Sequence, residues 1–117
     1  MVQIVDVCSV NTQIVQNFYE TAFNRHKPSE AAEKYLAKTF RLHNPCAKDG
    51  PEAFVAFVND FVKAYPRVHV DIKKIIAEGD FVAVHGRMKL TPTDRGSAVM
   101  DIFRVERGRI VERWDII

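Results

Sequence analysis

The hydrophobic period of the chain changes once, at Pro66, and that change constrains the fold more than any other feature. Before it, apolar residues recur at helical spacing. Val10, Ile14, Phe18 and Ala22, with Val15, Tyr19 and Phe23 beside them, predict a helix from Val10 to about Asn24, capped by Ser9 or Asn11. Pro28 suits the first turn of a short second helix that uses Tyr35 and Leu36 as its apolar contact and ends before Thr39. Thr39 to Asn44 reads as a brief extended segment, with Pro45 biasing Asn44 away from helix. Pro51 opens a third helix, in which Phe54, Phe57, Val58, Phe61 and Tyr65 keep core spacing until Pro66. Beyond Pro66, Val68, Val70 and Ile72 alternate with His69, Asp71 and Lys73, and the pair Ile75-Ile76 breaks the phase as a bulge would. Glu78-Gly79-Asp80 is a hairpin turn, and Phe81 to Leu90, Gly96 to Glu106 and Ile110 to Ile116 are further strands. Helices followed by an antiparallel meander predict an α+β domain with the helices on one sheet face.

At 117 residues the chain suits one domain spanning 1–117. Its 17 Lys and Arg against 15 Asp and Glu leave a formal charge of +2, and the charges are dispersed, which argues against a nucleic-acid surface. Asp6 interrupts the apolar start, so no signal peptide is expected, and the apolar runs fall far short of the roughly 18 residues of a membrane span. A soluble, cytoplasmic protein follows as the expectation. Cys8 and Cys46 are far apart and lack metal-ligand spacing, so both are read as reduced thiols.

The strands carry apolar residues on both faces. Along Phe81 to Leu90, one face holds Val82, Val84, Met88 and Leu90, and the other holds Phe81, Ala83, His85 and Arg87. A sheet covered by helices on one side should be polar on the other. Here it is not, and a homodimer through the outer sheet face is the expectation.

Asp101 is the first candidate for chemistry. Its period-two neighbours are Val99, Phe103 and Val105, which places a carboxylate on an apolar strand face. Such a group must be paired, hydrogen-bonded or held at a raised pKa. A buried pair that serves fold specificity, or an exposed Asp at a misjudged phase, is the alternative, and the acid–base role is favoured. His85 lies on the adjacent strand and, if it shares the Asp101 face, the two meet across the hairpin and can handle one proton; a satisfied core histidine is the alternative. Arg87 either binds an anionic group or sits at the rim, and the rim is favoured. His43 stands where a side chain can cross the mouth of a pocket or simply link elements. Trp114 is core or cavity wall, and Asp115, on the opposite strand face, is expected to lie outside the pocket. Among the aromatic residues, Phe18, Phe57 and Phe103 are assigned to the cavity wall. No GxSxG, Walker A, HExxH or GxGxxG motif is present, and no metal or cofactor is expected.

Taken in order, Phe18-Tyr19, Ala31 to Leu36, His43-Asn44-Pro45, Asp49-Gly50, Ile76 to Asp80, Val84-His85, Asp94-Arg95-Gly96, Asp101 to Arg104 and Gly108 to Asp115 resemble the SnoaL-like polyketide cyclases of the nuclear transport factor 2-like superfamily. The resemblance covers nearly the whole chain. It implies a cone of curved antiparallel sheet and three helices around an apolar pocket, dimeric in most members, and a cofactor-free aldol cyclisation. It also implies that Asp101 is the acid–base carboxylate, that His85 is a pocket-facing polar residue and that Trp114 lines the cavity. The substrate expected is a small apolar carbonyl compound, handled by cyclisation or by ketosteroid-isomerase-like proton transfer. Two other functions stay open. An epoxide hydrolase needs a second carboxylate bridged to Asp101 by an Arg. A noncatalytic small-molecule-binding or dimerisation module needs only that Asp101 and His85 satisfy one another.

Overall fold

The computed structural model describes residues 6–44 and 48–116. Three helices precede and interleave with a five-stranded sheet: α1 (Val7–Tyr19), which runs directly into a π-helical segment (Glu20–Asn24), α2 (Pro28–Tyr35), β1 (Leu36–His43), α3 (Pro51–Ala64), β2 (His69–Glu78), β3 (Phe81–Lys89), β4 (Ser97–Glu106) and β5 (Arg109–Ile116). The sheet order is β1-β5-β4-β3-β2. β1 runs parallel to β5, and the other neighbours are antiparallel. The result is an α+β cone in which a curved, unclosed sheet carries the helices on its inner face.

Several boundaries differ from the sequence reading for local reasons. α1 starts three residues before Val10, because Asp6, and not Ser9 or Asn11, is the N-cap: its carboxylate accepts the Cys8 backbone N–H at 3.0 Å. The last turn of the predicted first helix widens to π geometry, with the Arg25 N–H donating to the Glu20 carbonyl at 2.8 Å. α2 stops at Tyr35, so Leu36 belongs to β1 and not to the helix, and the brief extended segment is a full eight-residue strand inside the sheet. The bulge in β2 falls between Ile72 and Lys74, just ahead of Ile75-Ile76; it is what turns Ile75 inward and Ile76 outward. Pro45 and Cys46 lie outside the described residues.

The core fills the space between the helices and the inner sheet face. Phe18 from α1 meets Phe54 of α3 at 5.1 Å between centroids and Phe103 of β4 at 5.9 Å, and Phe40 of β1 meets Phe54 at 6.2 Å. Phe18, Phe54 and Phe103 are fully buried, each contributing about 1.5–3 kcal/mol of apolar burial. Among the described residues no helix is long and apolar enough to cross a membrane.

Candidate active site

Asp101 is buried, with 5% of its surface exposed, on the inner face of β4. The register explains how a carboxylate comes to be there: Asp101 pairs across the sheet with Val84 of β3 and with Asp115 of β5, and directly paired residues point to the same face. Asp115 therefore shares the inner face. Arg113, two residues earlier on β5, does too.

Arg113 bridges the two carboxylates. Its Nη2 lies 3.2 Å from Asp101 Oδ2 and its Nε 3.1 Å from Asp115 Oδ1. The guanidinium is 6% exposed and packed among the rings of Phe23, Phe54 and Phe103 at 5.8, 6.0 and 5.6 Å. Tyr19, at the end of α1, donates its hydroxyl to Asp101 Oδ2. Asn44, just past β1, donates its amide to Asp115 Oδ2 at 2.7 Å.

Burial, opposed by the Arg113 charge, pushes Asp101 up to about 6; a hydrogen bond to Asp115 and the like charge of that carboxylate add to the rise. Desolvation dominates because a single guanidinium shared between two acids cannot replace the lost water around both. Above the carboxylates lies a cavity of about 190 Å³, walled by Tyr19, Phe23, Phe57, Phe61, Met88 and Val99. It is small for a ligand site and largely apolar. The arrangement can exchange one proton, near neutral pH, with an apolar molecule held against Asp101. Among the described residues no group of three His, Cys, Asp or Glu side chains converges as a metal-ligand set.

The structure brings Asp101 and Phe57 to this cavity and takes the other expected residues elsewhere. His85 pairs with Met100, one position out of phase with the Val84–Asp101 pair, so it projects from the outer face and does not meet Asp101. Trp114 also faces outward and stacks on His43 with centroids 4.8 Å apart. His43 contacts Glu112 at 2.8 Å on that same face, so neither residue lines the Asp101 cavity. His43 and Arg104 together hold the Glu112 carboxylate below its usual range. Arg87 is exposed on the outer side, with its Nε donating to the Arg95 carbonyl at 2.6 Å, and does not line the Asp101 cavity. Phe18 is wholly core, and Phe103 lies beneath the site as a support for Arg113.

Asp115 reverses the sequence expectation, and Tyr19, Arg113 and Asn44 were missed as site residues. The signal for Arg113 and Asp115 was present: Val111, Arg113 and Asp115 alternate on β5, and the large Trp114 drew the inward phase to the wrong side. Tyr19 carried no comparable signal, since it meets Asp101 from 82 residues away.

Comparison with known proteins agrees with this architecture. Solved structures with the same fold include a candidate polyketide cyclase from Bacillus cereus ATCC 10987, 23% identical, covering 92% of this chain and 74% of that one at a TM-score of 0.78. A candidate SnoaL-like polyketide cyclase from Jannaschia sp. CCS1 is 20% identical, covering 98% and 90% at a TM-score of 0.75. A candidate isomerase of the SnoaL-like family from Agrobacterium tumefaciens str. C58 is 14% identical, covering 93% and 99% at a TM-score of 0.75. No curated protein matches the chain. The profile of the SnoaL-like domain matches residues 15–113, a stretch that holds Tyr19, Asn44, Asp101 and Arg113, and the chain belongs to that family.

Proposed function

We propose that the chain is a cofactor-independent acid–base enzyme that moves a proton at the carbon alpha to a carbonyl of a small apolar substrate. The observation that carries this reading is a buried carboxylate, raised to about 6, that faces an apolar cavity. Tyr19 and Arg113 both address Asp101 Oδ2, so Oδ1 is assigned to the substrate. The C–H bond alpha to the carbonyl breaks, its proton goes to Asp101, and its electron pair moves onto the carbonyl oxygen as an enolate. Once Asp101 is protonated, its hold on the Tyr19 hydroxyl weakens, and that hydroxyl is assigned to the enolate oxygen as its donor. The enolate then attacks a second carbonyl in an aldol cyclisation, or is reprotonated at another carbon in a double-bond isomerisation, and Asp101 returns the proton. The names of the cyclase and isomerase neighbours support both outcomes.

A panel of cyclic β,γ-enones and diketones, followed by ultraviolet absorbance and chiral chromatography, tests the reading. Asp101→Asn is expected to lower turnover on the order of 10²–10⁴-fold with the fold intact. Undiminished turnover in that variant refutes the assignment.

One feature favours a second reading. The Asp101–Arg113–Asp115 bridge supplies the Arg-linked carboxylate pair that epoxide hydration needs, with Asn44 on the second acid. One acid would protonate the epoxide oxygen while the other takes a proton from the attacking water, giving a diol. Asp115→Asn separates the two: it abolishes hydration, whereas alpha-proton transfer survives with a pH profile shifted toward lower pH.

We also propose that the outer sheet face packs against a second copy of the chain. Ile76, Phe81, Met100 and Ile116 are 65, 47, 43 and 50% exposed there, around Trp114 and Ile102. A contiguous apolar surface on the uncovered side of a sheet, with self-paired charges such as Arg104–Glu112 (2.6 Å) beside it, suits a two-fold interface. The cytoplasm, where the free thiol of Cys8 would stay reduced, is the compartment this reading assigns.

A further inference from the structure

The turn that follows Tyr19 is not an ordinary helix end. Its π geometry spans Glu20–Asn24 and closes over the left-handed His26 (φ 57), where the Lys27 N–H reaches the Thr21 carbonyl at 2.9 Å. A widened turn forms one hydrogen bond fewer for its length than an α-helix and needs a reason to persist. Here the reason lies in Asn24. Its amide Nδ2 donates to the Val70 carbonyl at 2.9 Å, and its Oδ1 accepts the Val70 N–H at 2.8 Å. β2 is an edge strand, and Asn24 pairs with that edge as a neighbouring strand would. The same Nδ2 also donates to Glu20 Oε2 at 2.8 Å, tying the first residue of the turn to its last. Tyr19 precedes this turn directly, and its ring packs on Phe23 inside it at 5.7 Å.

We propose that Asn24 is a positioning residue that, by clamping the widened turn to β2, sets where Tyr19 presents its hydroxyl to Asp101. The side chain must be an amide. Leucine fills the space but pairs with neither backbone group. Aspartate keeps the bond from the Val70 N–H but turns a second acceptor toward the Val70 carbonyl and the Glu20 carboxylate. The inference rests on the proposed role of Asp101, and its test separates the two.

The test titrates the Asp101 carboxyl by ¹³C NMR in the wild type, Asn24→Leu, Asn24→Asp, Tyr19→Phe and the double variant Tyr19→Phe/Asn24→Leu. The Tyr19 hydroxyl stabilises the ionised carboxylate, so its loss raises the midpoint. Both Asn24 variants are expected to raise the midpoint by roughly half a unit or more, in the direction of Tyr19→Phe. Adding Asn24→Leu to Tyr19→Phe is expected to move it no further. An unchanged midpoint in Asn24→Asp, or an equal rise from Asn24→Leu with and without the hydroxyl, overturns the proposal, the second by exposing a general loosening. Asn24→Asp keeps the size and one bond of the native residue, but its own charge also raises the midpoint. Should Asn24→Leu unfold, Asn24→Asp is therefore compared with Tyr19→Phe/Asn24→Asp, and an equal rise with and without the hydroxyl overturns the proposal. A wild-type midpoint in the ordinary carboxylate range overturns the role of Asp101 instead, and leaves the Asn24 comparison readable.

Discussion

Asp101 takes its proton at about 6 in the folded chain, against an ordinary value of 3.8. Between those two values the folded state holds more protons than the unfolded state, so stability falls as pH rises through that window and the loss is complete above it. The loss is on the order of 3 kcal/mol. Asp101→Asn is expected to flatten this slope and to stabilise the protein at pH 8 by roughly 1–3 kcal/mol in urea denaturation, while removing activity. A variant less stable than wild type at pH 8 contradicts the burial argument. Arg113 has the opposite character. Arg113→Met leaves two facing carboxylates without their cation and is expected to cost about 3–5 kcal/mol at pH 7 by the same measurement, less at pH 5, where protonation relieves the pair. Arg113→Lys is expected to rescue little of this, because one ammonium cannot reach Asp101 and Asp115 in two directions from a flat fork. Asp101 was legible in the sequence because its period-two neighbours on the same strand, Val99, Phe103 and Val105, are apolar. Its true partners were not, since cross-strand register is a property of three strands at once, and a shift of one residue is enough to send His85 to the far face.

At the scale of elements, α1 and α3 were legible from apolar spacing, and β3 and β4 from alternation between turn signals. β1 was only half legible. Lys38, Thr39 and Arg41 are exposed polar residues within it, and its partner β5 begins far along the chain, so nothing local distinguishes it from a loop. The π turn had no local signature, because the residue that clamps it, Asn24, pairs with a β2 backbone position 46 residues further along the chain. The β3–β4 connection depends on Gly96, which holds φ +84 with its would-be Cβ 2.8 Å from Arg87 Nε and 3.0 Å from the Met88 carbonyl. Gly96→Ala is expected to destabilise by more than about 1 kcal/mol, seen as a lower thermal midpoint, through both backbone strain and displacement of Arg87. An unchanged midpoint contradicts the close packing of that turn.

For the whole molecule, the α+β class was legible because the change of period at Pro66 separates the helices from the meander, whereas the cone was implied only by the family resemblance, and the family's profile spans that change of period. Apolar residues on both sheet faces gave the expectation of a dimer. They could not say which face held the site, and Trp114 and His43 belong to the outer surface and not the cavity. Phe81→Glu places a charge in that apolar patch. Wild type is expected to sediment at twice the chain mass of 13.4 kDa and Phe81→Glu at the single mass, with unchanged helix content. A monomeric wild type at tens of micromolar contradicts the proposed interface. Asp101 and Arg113 lie on the inner face, opposite Phe81, and Asp101 is expected to keep its titration in the Phe81→Glu monomer.

Everything proposed for the chemistry depends on Asp101 holding its proton near neutrality. Selective ¹³C labelling of the aspartate carboxyls, with Asp101→Asn to assign the resonance, measures this directly across pH 3 to 8. The midpoint expected for Asp101 is near 6. A midpoint at the ordinary carboxylate value would contradict it, whatever activity the protein shows.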